Sequence, residues 1–162
     1  MVVQYKKVDL ASLDLGYLAL FLGQRVNELV LQGMSSAGFR RTRESHGYVI
    51  QHLIDSGRTI TELAGRMGVT QQAASKSVAE LVALKIVKTA PAPDRRARTV
   101  CLTERGWNCI REARRLRKQV DRRLEKLLGT QNYSHAKSAL MAGIEELGGV
   151  ERIRTRRVRE PQ

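Results

Sequence analysis

Cysteine occurs only twice in the 162 residues, as Cys101 and Cys109. Two thiols cannot build a disulfide framework, and both read as ordinary reduced cysteines. Long apolar runs are missing as well. The longest uncharged one, Leu15 to Gln24, is interrupted by glycine and falls short of the roughly 20 residues a bilayer-spanning helix needs, so no membrane partner is expected. The opening residues run through Lys6 and Lys7 to Asp9 and Asp14 without the cleavage pattern of a secretory leader, which makes the cytoplasm the expected location. There is no G-x-S-x-G elbow, no phosphate-cradling glycine loop and no pair of acids at a strand end, so the chain does not read as an enzyme. His46 and His52 stand six residues apart, about 240° round a helix, and cannot share one ligand face, so neither a metal nor a cofactor is expected.

Acidic residues are the other scarcity. Sixteen Asp and Glu face 29 Lys and Arg, a net charge of +13. On one small domain such an excess attracts polyanions, of which nucleic acid is the commonest. Apolar residues make up 42% of the chain, enough for a packed core.

Helical spacing dominates. Leu18, Phe21, Leu22, Val26, Leu29 and Val30 recur at three and four residues and predict an amphipathic helix over 12–32. Gly33 to Gly38 has the composition of a loop. Thr42 is the expected cap of a second helix carrying Val49, Ile50, Leu53 and Ile54, closed by Ser56-Gly57. Thr59-Ile60-Thr61-Glu62 forms a capping box that opens a short third helix ending at Gly68. Thr70 caps a fourth, running to about Lys85, with Ala74, Val78, Leu81 and Val82 on one face. Pro91 to Arg96 is a basic turn, and Arg98 to Leu102 alternates like a strand, which together predict a hairpin with a charged tip. A helix of about 25 residues then starts at Thr103-Glu104, with Trp107, Ile110, Ala113, Leu116, Val120, Leu124 and Leu127 in a stripe. Its other face carries most of nine Lys and Arg, against four acids in the segment. A last helix spans about 133–147, and residues 148–162 read as a basic, flexible tail.

The informative unit is Leu63 to Leu81. Ala64 lets two helices approach, Gly68 permits a sharp turn, and Val69, Ala74, Val78 and Leu81 pin the second helix to the first. Its free face then presents Thr70, Gln71, Gln72, Ser75 and Lys76. Glutamine bonds adenine edges, and lysine neutralises phosphate or reads guanine, which suits a recognition helix in a major groove. The same spacing also suits an ordinary helical hairpin with a polar outer face.

Asp94-Arg95-Arg96 followed after five residues by Leu102-Thr103-Glu104-Arg105-Gly106 is similar to the wing signature of the multiple antibiotic resistance regulator (MarR) family. From about Leu10 to Leu147 the chain resembles that family of winged helix-turn-helix transcription factors. The resemblance implies a mainly α fold with a small β-hairpin wing and flanking dimerisation helices. A single domain over 10–147 would hold the dimerisation helices in 10–40 and 106–147 and the winged helix-turn-helix in 42–105. It further implies a homodimer on a palindromic double-stranded operator, acting as a repressor released by a small aromatic or phenolic ligand. Arg96 would enter the minor groove, Asp94 would brace a nearby wing arginine, Arg95 would contact the backbone, and Arg98 would belong to the same wing. By position Tyr17, Phe21, His46, Tyr48 and Trp107 are candidates to line the effector pocket; each is equally explained by packing at the lobe junction. Some family members sense oxidants through a first-helix cysteine; this chain has only Cys101 and Cys109, further along. The alternative function is a general basic nucleic-acid-binding structural protein without sequence specificity.

Overall fold

The computed structural model of the chain describes residues 8–91 and 98–155. Most helices start where a side-chain oxygen accepts a backbone N–H that the first turn cannot satisfy internally. Asp14 accepts from the Tyr17 N–H at 2.8 Å and begins α1, Leu15–Ser36. This fixes the start three residues later than the apolar spacing predicts, because residues 10–12 form a separate 3₁₀ turn capped by Asp9. At α3, Ile60–Met67, the predicted capping box is present: Glu62 N–H donates to Thr59 Oγ1 at 3.2 Å and Thr59 N–H donates to Glu62 Oε2 at 2.7 Å. That backbone bond holds the Glu62 carboxyl below its ordinary pKa. Thr70 caps α4, Gln71–Ala83, and Thr103 caps α5, Glu104–Leu128.

α2, Glu44–Gln51, departs from expectation. Thr42 does not cap it; its hydroxyl donates to the Phe39 carbonyl at 2.8 Å, and Arg43 takes the cap position, its N–H donating to His46 Nδ1 at 3.3 Å. The loop predicted over 33–38 is also shorter than its composition suggests, since α1 continues through Ser36. Gly33 serves packing rather than a turn: a Cβ there would lie 2.6 Å from Leu116 Cδ2 of α5. The chain reverses only at Gly38, where φ is +88°.

The hairpin forms as β2, Val87–Pro91, and β3, Arg98–Leu102, with Val87 opposite Leu102 and Pro91 opposite Arg98. A two-residue strand not read from the sequence, β1 at Arg58–Thr59, pairs antiparallel with the other side of β3. α6, Thr130–Glu146, folds back along α5, and the described part of the basic tail continues as a short helix, α7, Val150–Thr155.

The core joins α1 to α5 with β2 and β3. Val30 and Met34 of α1, Val49 and Ile50 of α2 with Leu53 just after it, Leu63 and Met67 of α3, Val78 and Leu81 of α4, Ile86 just before β2, and Val87 and Val100 of the sheet meet Cys109 and Ile110 of α5. Arg105 staples this assembly from outside. Its guanidinium lies 4.8 Å over the Phe39 ring and donates to the carbonyls of Gly38 at 2.7 Å and Leu84 at 3.2 Å. The α5 stripe is half-buried from Ala113 to Leu124 and loses its cover at both ends, where Trp107 and Leu127 are exposed. Other apolar surface is also uncovered: Leu15, Tyr17, Leu20, Phe21 and Leu22 on the first half of α1, and Leu140, Met141 and Ile144 on α6.

Two glycine substitutions have opposite expected signs. A Cβ at Gly106 would lie 2.3 Å from the Ile86 carbonyl oxygen, so Gly106→Ala must displace backbone and should destabilise by about 1–3 kcal/mol in urea unfolding. Gly65, inside α3, has no atom within 4 Å of a built Cβ. Gly65→Ala should therefore stabilise by about 0.5–1 kcal/mol.

Candidate nucleic-acid interface

The α3–α4 pair sets the geometry. Gly68 takes φ +67° and ψ +38°, the left-handed conformation that ends α3, and Val69 N–H returns to the Ala64 carbonyl at 3.0 Å. Thr70 Oγ1 then accepts from the Ala73 N–H at 3.2 Å and α4 begins. Ala74, Val78 and Leu81 are almost fully buried, while Thr70, Gln71, Gln72, Ser75, Lys76 and Ala79 are exposed. Val82, expected on the inner face, is 42% exposed, because it sits a further 100° round from Leu81 and leaves the seam. Among the described residues Gln71, Gln72, Ser75 and Lys76 make no side-chain hydrogen bond or ion pair within the chain, so their donors and acceptors all face outward. The polar edge lies at the start of α4, where unsatisfied N–H groups and the helix dipole favour an anion.

Of the wing residues, Arg98 is exposed at the start of β3 and its Nη2 donates to Thr89 Oγ1 at 3.1 Å, which props the guanidinium against β2. Lys88 is a further exposed cation on β2, in register with Cys101. Asp94, Arg95 and Arg96 lie outside the described residues. Cys109 is not set up as a ready nucleophile. Cys101 is half-buried, and burial pushes the Cys109 thiol up to about 11.

A link between helices was not read from the sequence. His46 of α2 is 2% exposed, and its Nε2 lies 2.9 Å from Glu80 Oε2 of α4. The Arg43 guanidinium donates to the same Glu80 oxygen. With Nδ1 accepting from the Arg43 N–H, the bond pattern suits a neutral imidazole that donates from Nε2. Burial, and then the nearby Arg43 charge, lower the His46 pKa from its ordinary 6.5.

His46 also lines a cavity of about 390 Å³ between α1, α2 and α5, whose walls include Asn27, Val30, Met34, Tyr48 and Arg117. Arg117 donates to Asn27 Oδ1 at 2.9 Å and ties α5 to α1 across it. Two of the five sequence-proposed pocket residues, His46 and Tyr48, are therefore brought together, and three are not. Tyr17 and Phe21 pack on each other with ring centroids 4.8 Å apart, exposed, roughly 14–20 Å along α1 from Val30 at 1.5 Å per residue. Trp107, in the first turn of α5, is absent from the cavity wall to which Cys109 and Ala113 contribute, and is 38% exposed. Among the described residues no three His, Cys, Asp or Glu side chains are grouped to hold a metal ion, and no helix is long and apolar enough to cross a membrane.

Residues 41–97, which include the whole α2–α3–α4 unit and β2, match the sequence profile of the MarR family. No curated protein matches the chain. Among solved structures, the fold is similar to that of the Staphylococcus aureus transcription regulator MepR, at 15% identity with a TM-score of 0.69, over 83% of this chain and 99% of that one. Apo MarR from E. coli is 21% identical with a TM-score of 0.61, over 82% and 98%. The transcriptional repressor CouR, solved on a 23-mer DNA duplex, is 25% identical with a TM-score of 0.61, over 86% and 97%. The described residues thus adopt the winged-helix fold of MarR-type regulators, and the resemblance carried by the wing signature is borne out.

The His46 contacts give a pH dependence with a definite sign. The folded chain refuses a proton that the unfolded chain accepts below pH 6.5, so this contribution to stability is complete above that pH and is lost as pH falls toward the depressed folded value. In urea unfolding, the stability difference between wild type and His46→Gln should shrink as pH drops from 7.5 to 5; a pH-independent difference would contradict the neutral buried imidazole.

Proposed function

We propose that the chain is a homodimeric, sequence-specific DNA-binding transcriptional regulator of the MarR family, acting in the cytoplasm as a repressor released by a small-molecule effector. The observation that carries this reading is the orientation of α4: its apolar side is buried, and Gln71, Gln72, Ser75 and Lys76 face outward without partners, next to the exposed cap Thr70 and beside a basic hairpin. In a major groove the two glutamines would bond base edges, Thr70 and Ser75 would contact bases or backbone, and Lys76 would neutralise a phosphate or read guanine. Arg96 would reach the adjacent minor groove, where negative potential favours arginine, with Asp94 bracing the wing and Arg95 and Arg98 on the backbone. CouR, of similar fold, is held on a DNA duplex, which supports duplex DNA as the partner.

Dimerisation is supported by the uncovered apolar surface at the two ends of the chain, on α1 and α6. Burying both faces against a second copy would stabilise the pair through the area removed from water. A two-fold pair would set its recognition helices roughly 34 Å apart, matching a palindromic operator.

Release by an effector is supported by the α1–α2–α5 cavity and its link to α4. A small aromatic or phenolic molecule against Tyr48 and His46 would reposition the Arg43–His46–Glu80 cluster and so favour a conformation with the wrong helix spacing for DNA.

Charge-driven binding without specificity is separated from this reading by two substitutions. Gln72→Ala should lower preference for one selected site by about 1–3 kcal/mol while leaving nonspecific affinity unchanged. Lys76→Ala should weaken all duplexes similarly and reduce the salt slope by about 1. Electrophoretic mobility shifts over a salt series measure both, and equal loss on every duplex for Gln72→Ala would contradict sequence readout.

A further inference from the structure

A second cleft, of about 570 Å³, opens between α2, α3, α5 and the described part of the basic tail. Arg66 of α3, Arg114 of α5 and Arg154 of α7 line it, with Gln51, Asp55 and Thr155 between them. Three exposed arginines from three separate elements thus line one cleft. Among the described residues Arg66 and Arg114 have no hydrogen-bond or ion-pair partner, while Glu151 holds Arg154 through its Nε at 2.8 Å and its Nη2 at 2.7 Å. Glu151 and the lining Asp55 offset part of this charge, and an anion between Arg66 and Arg114 would offset more of it.

We infer that this cleft binds a phosphate monoester of a small polyhydroxylated molecule. Guanidiniums arriving from three walls need an acceptor with oxygens in three directions; a phosphate monoester offers three terminal oxygens in a tetrahedron, a carboxylate only two in a plane. The volume exceeds that of the phosphate alone and lies within the range of small-molecule sites, on the order of 300–1,000 Å³. Asp55, Gln51, His52 and Thr155 supply the remaining polar lining, and a carboxylate beside an anion is suited to accepting hydrogen bonds from ligand hydroxyls. The site is distinct from the α1–α2–α5 cavity and stands whether or not α4 reads DNA.

Calorimetric titration of the full chain at pH 7.5 tests this with three probes: inorganic phosphate, ribose 5-phosphate and ribose. Ribose 5-phosphate should bind at least tenfold more tightly than phosphate, and ribose should not bind. Arg66→Gln and Arg114→Gln should each weaken ribose 5-phosphate at least tenfold, while Arg123→Gln, on an exposed position of α5 outside the cleft, leaves it unchanged. Asp55→Asn should tighten inorganic phosphate and narrow its gap from ribose 5-phosphate, a gain that a misfolded variant would not show. Absence of binding by either phosphate, or equal weakening in Arg123→Gln, overturns the site. Competitive displacement of ribose 5-phosphate by duplex DNA, with duplex affinity lost in Arg114→Gln, would assign the phosphoryl group to nucleic acid and overturn it as well.

Discussion

The buried seam between α3 and α4 decides what the molecule can present. Leu63 and Leu81 are fully buried and Met67 and Val78 nearly so, and burying each such side chain contributes about 1.5–3 kcal/mol. Rotating α4 by one residue would expose Leu81 and carry polar side chains toward the core without partners, a cost several times thermal energy. The outward set from Thr70 to Lys76 is therefore fixed by the hydrophobic side of the same helix. The Gly68 turn and the two threonine caps hold α3 and α4 at the angle that this seam requires.

Polar contacts connect that seam to the rest of the chain. Glu80 lies on α4, and His46 and Arg43 reach it from the start of α2, so the helix facing outward is bonded to a wall of the α1–α2–α5 cavity. Arg105 performs a similar role one turn further on, where α4 ends, joining α5 to the Leu84 carbonyl and to the turn after α1. A displacement at the cavity has short, hydrogen-bonded routes to the helix proposed to read DNA.

Much of this was legible in the sequence where the determining chemistry is local. The Thr59–Glu62 capping box, the Gly68 turn, the Thr70 cap, the hairpin and the 25-residue α5 each rest on residues a few positions apart, and each is present. What was missed depends on distant partners. β1 is two residues long and exists by pairing with β3, some forty residues later. Gly33 looked like a loop residue because nothing near it in sequence announces Leu116. His46 and Glu80 are 34 residues apart, and only the packing of α2 on α4 brings them together. Tyr17, Phe21 and Trp107 were placed near the cavity by their element; their height or angle on the helix puts them elsewhere. The outer face of α4 needed only helical period and was readable, whereas Asp94, Arg95 and Arg96 fall outside the described residues.

The most direct measurement is guanine methylation protection by the full-length protein on a duplex it selects from a random library. Two protected major-groove windows on one face of the DNA, centred about 10 base pairs apart and related by a dyad, are the predicted result. Protection spread evenly along the duplex, or confined to one unrepeated window, would contradict an α4 face that reads the groove as one half of a symmetric pair.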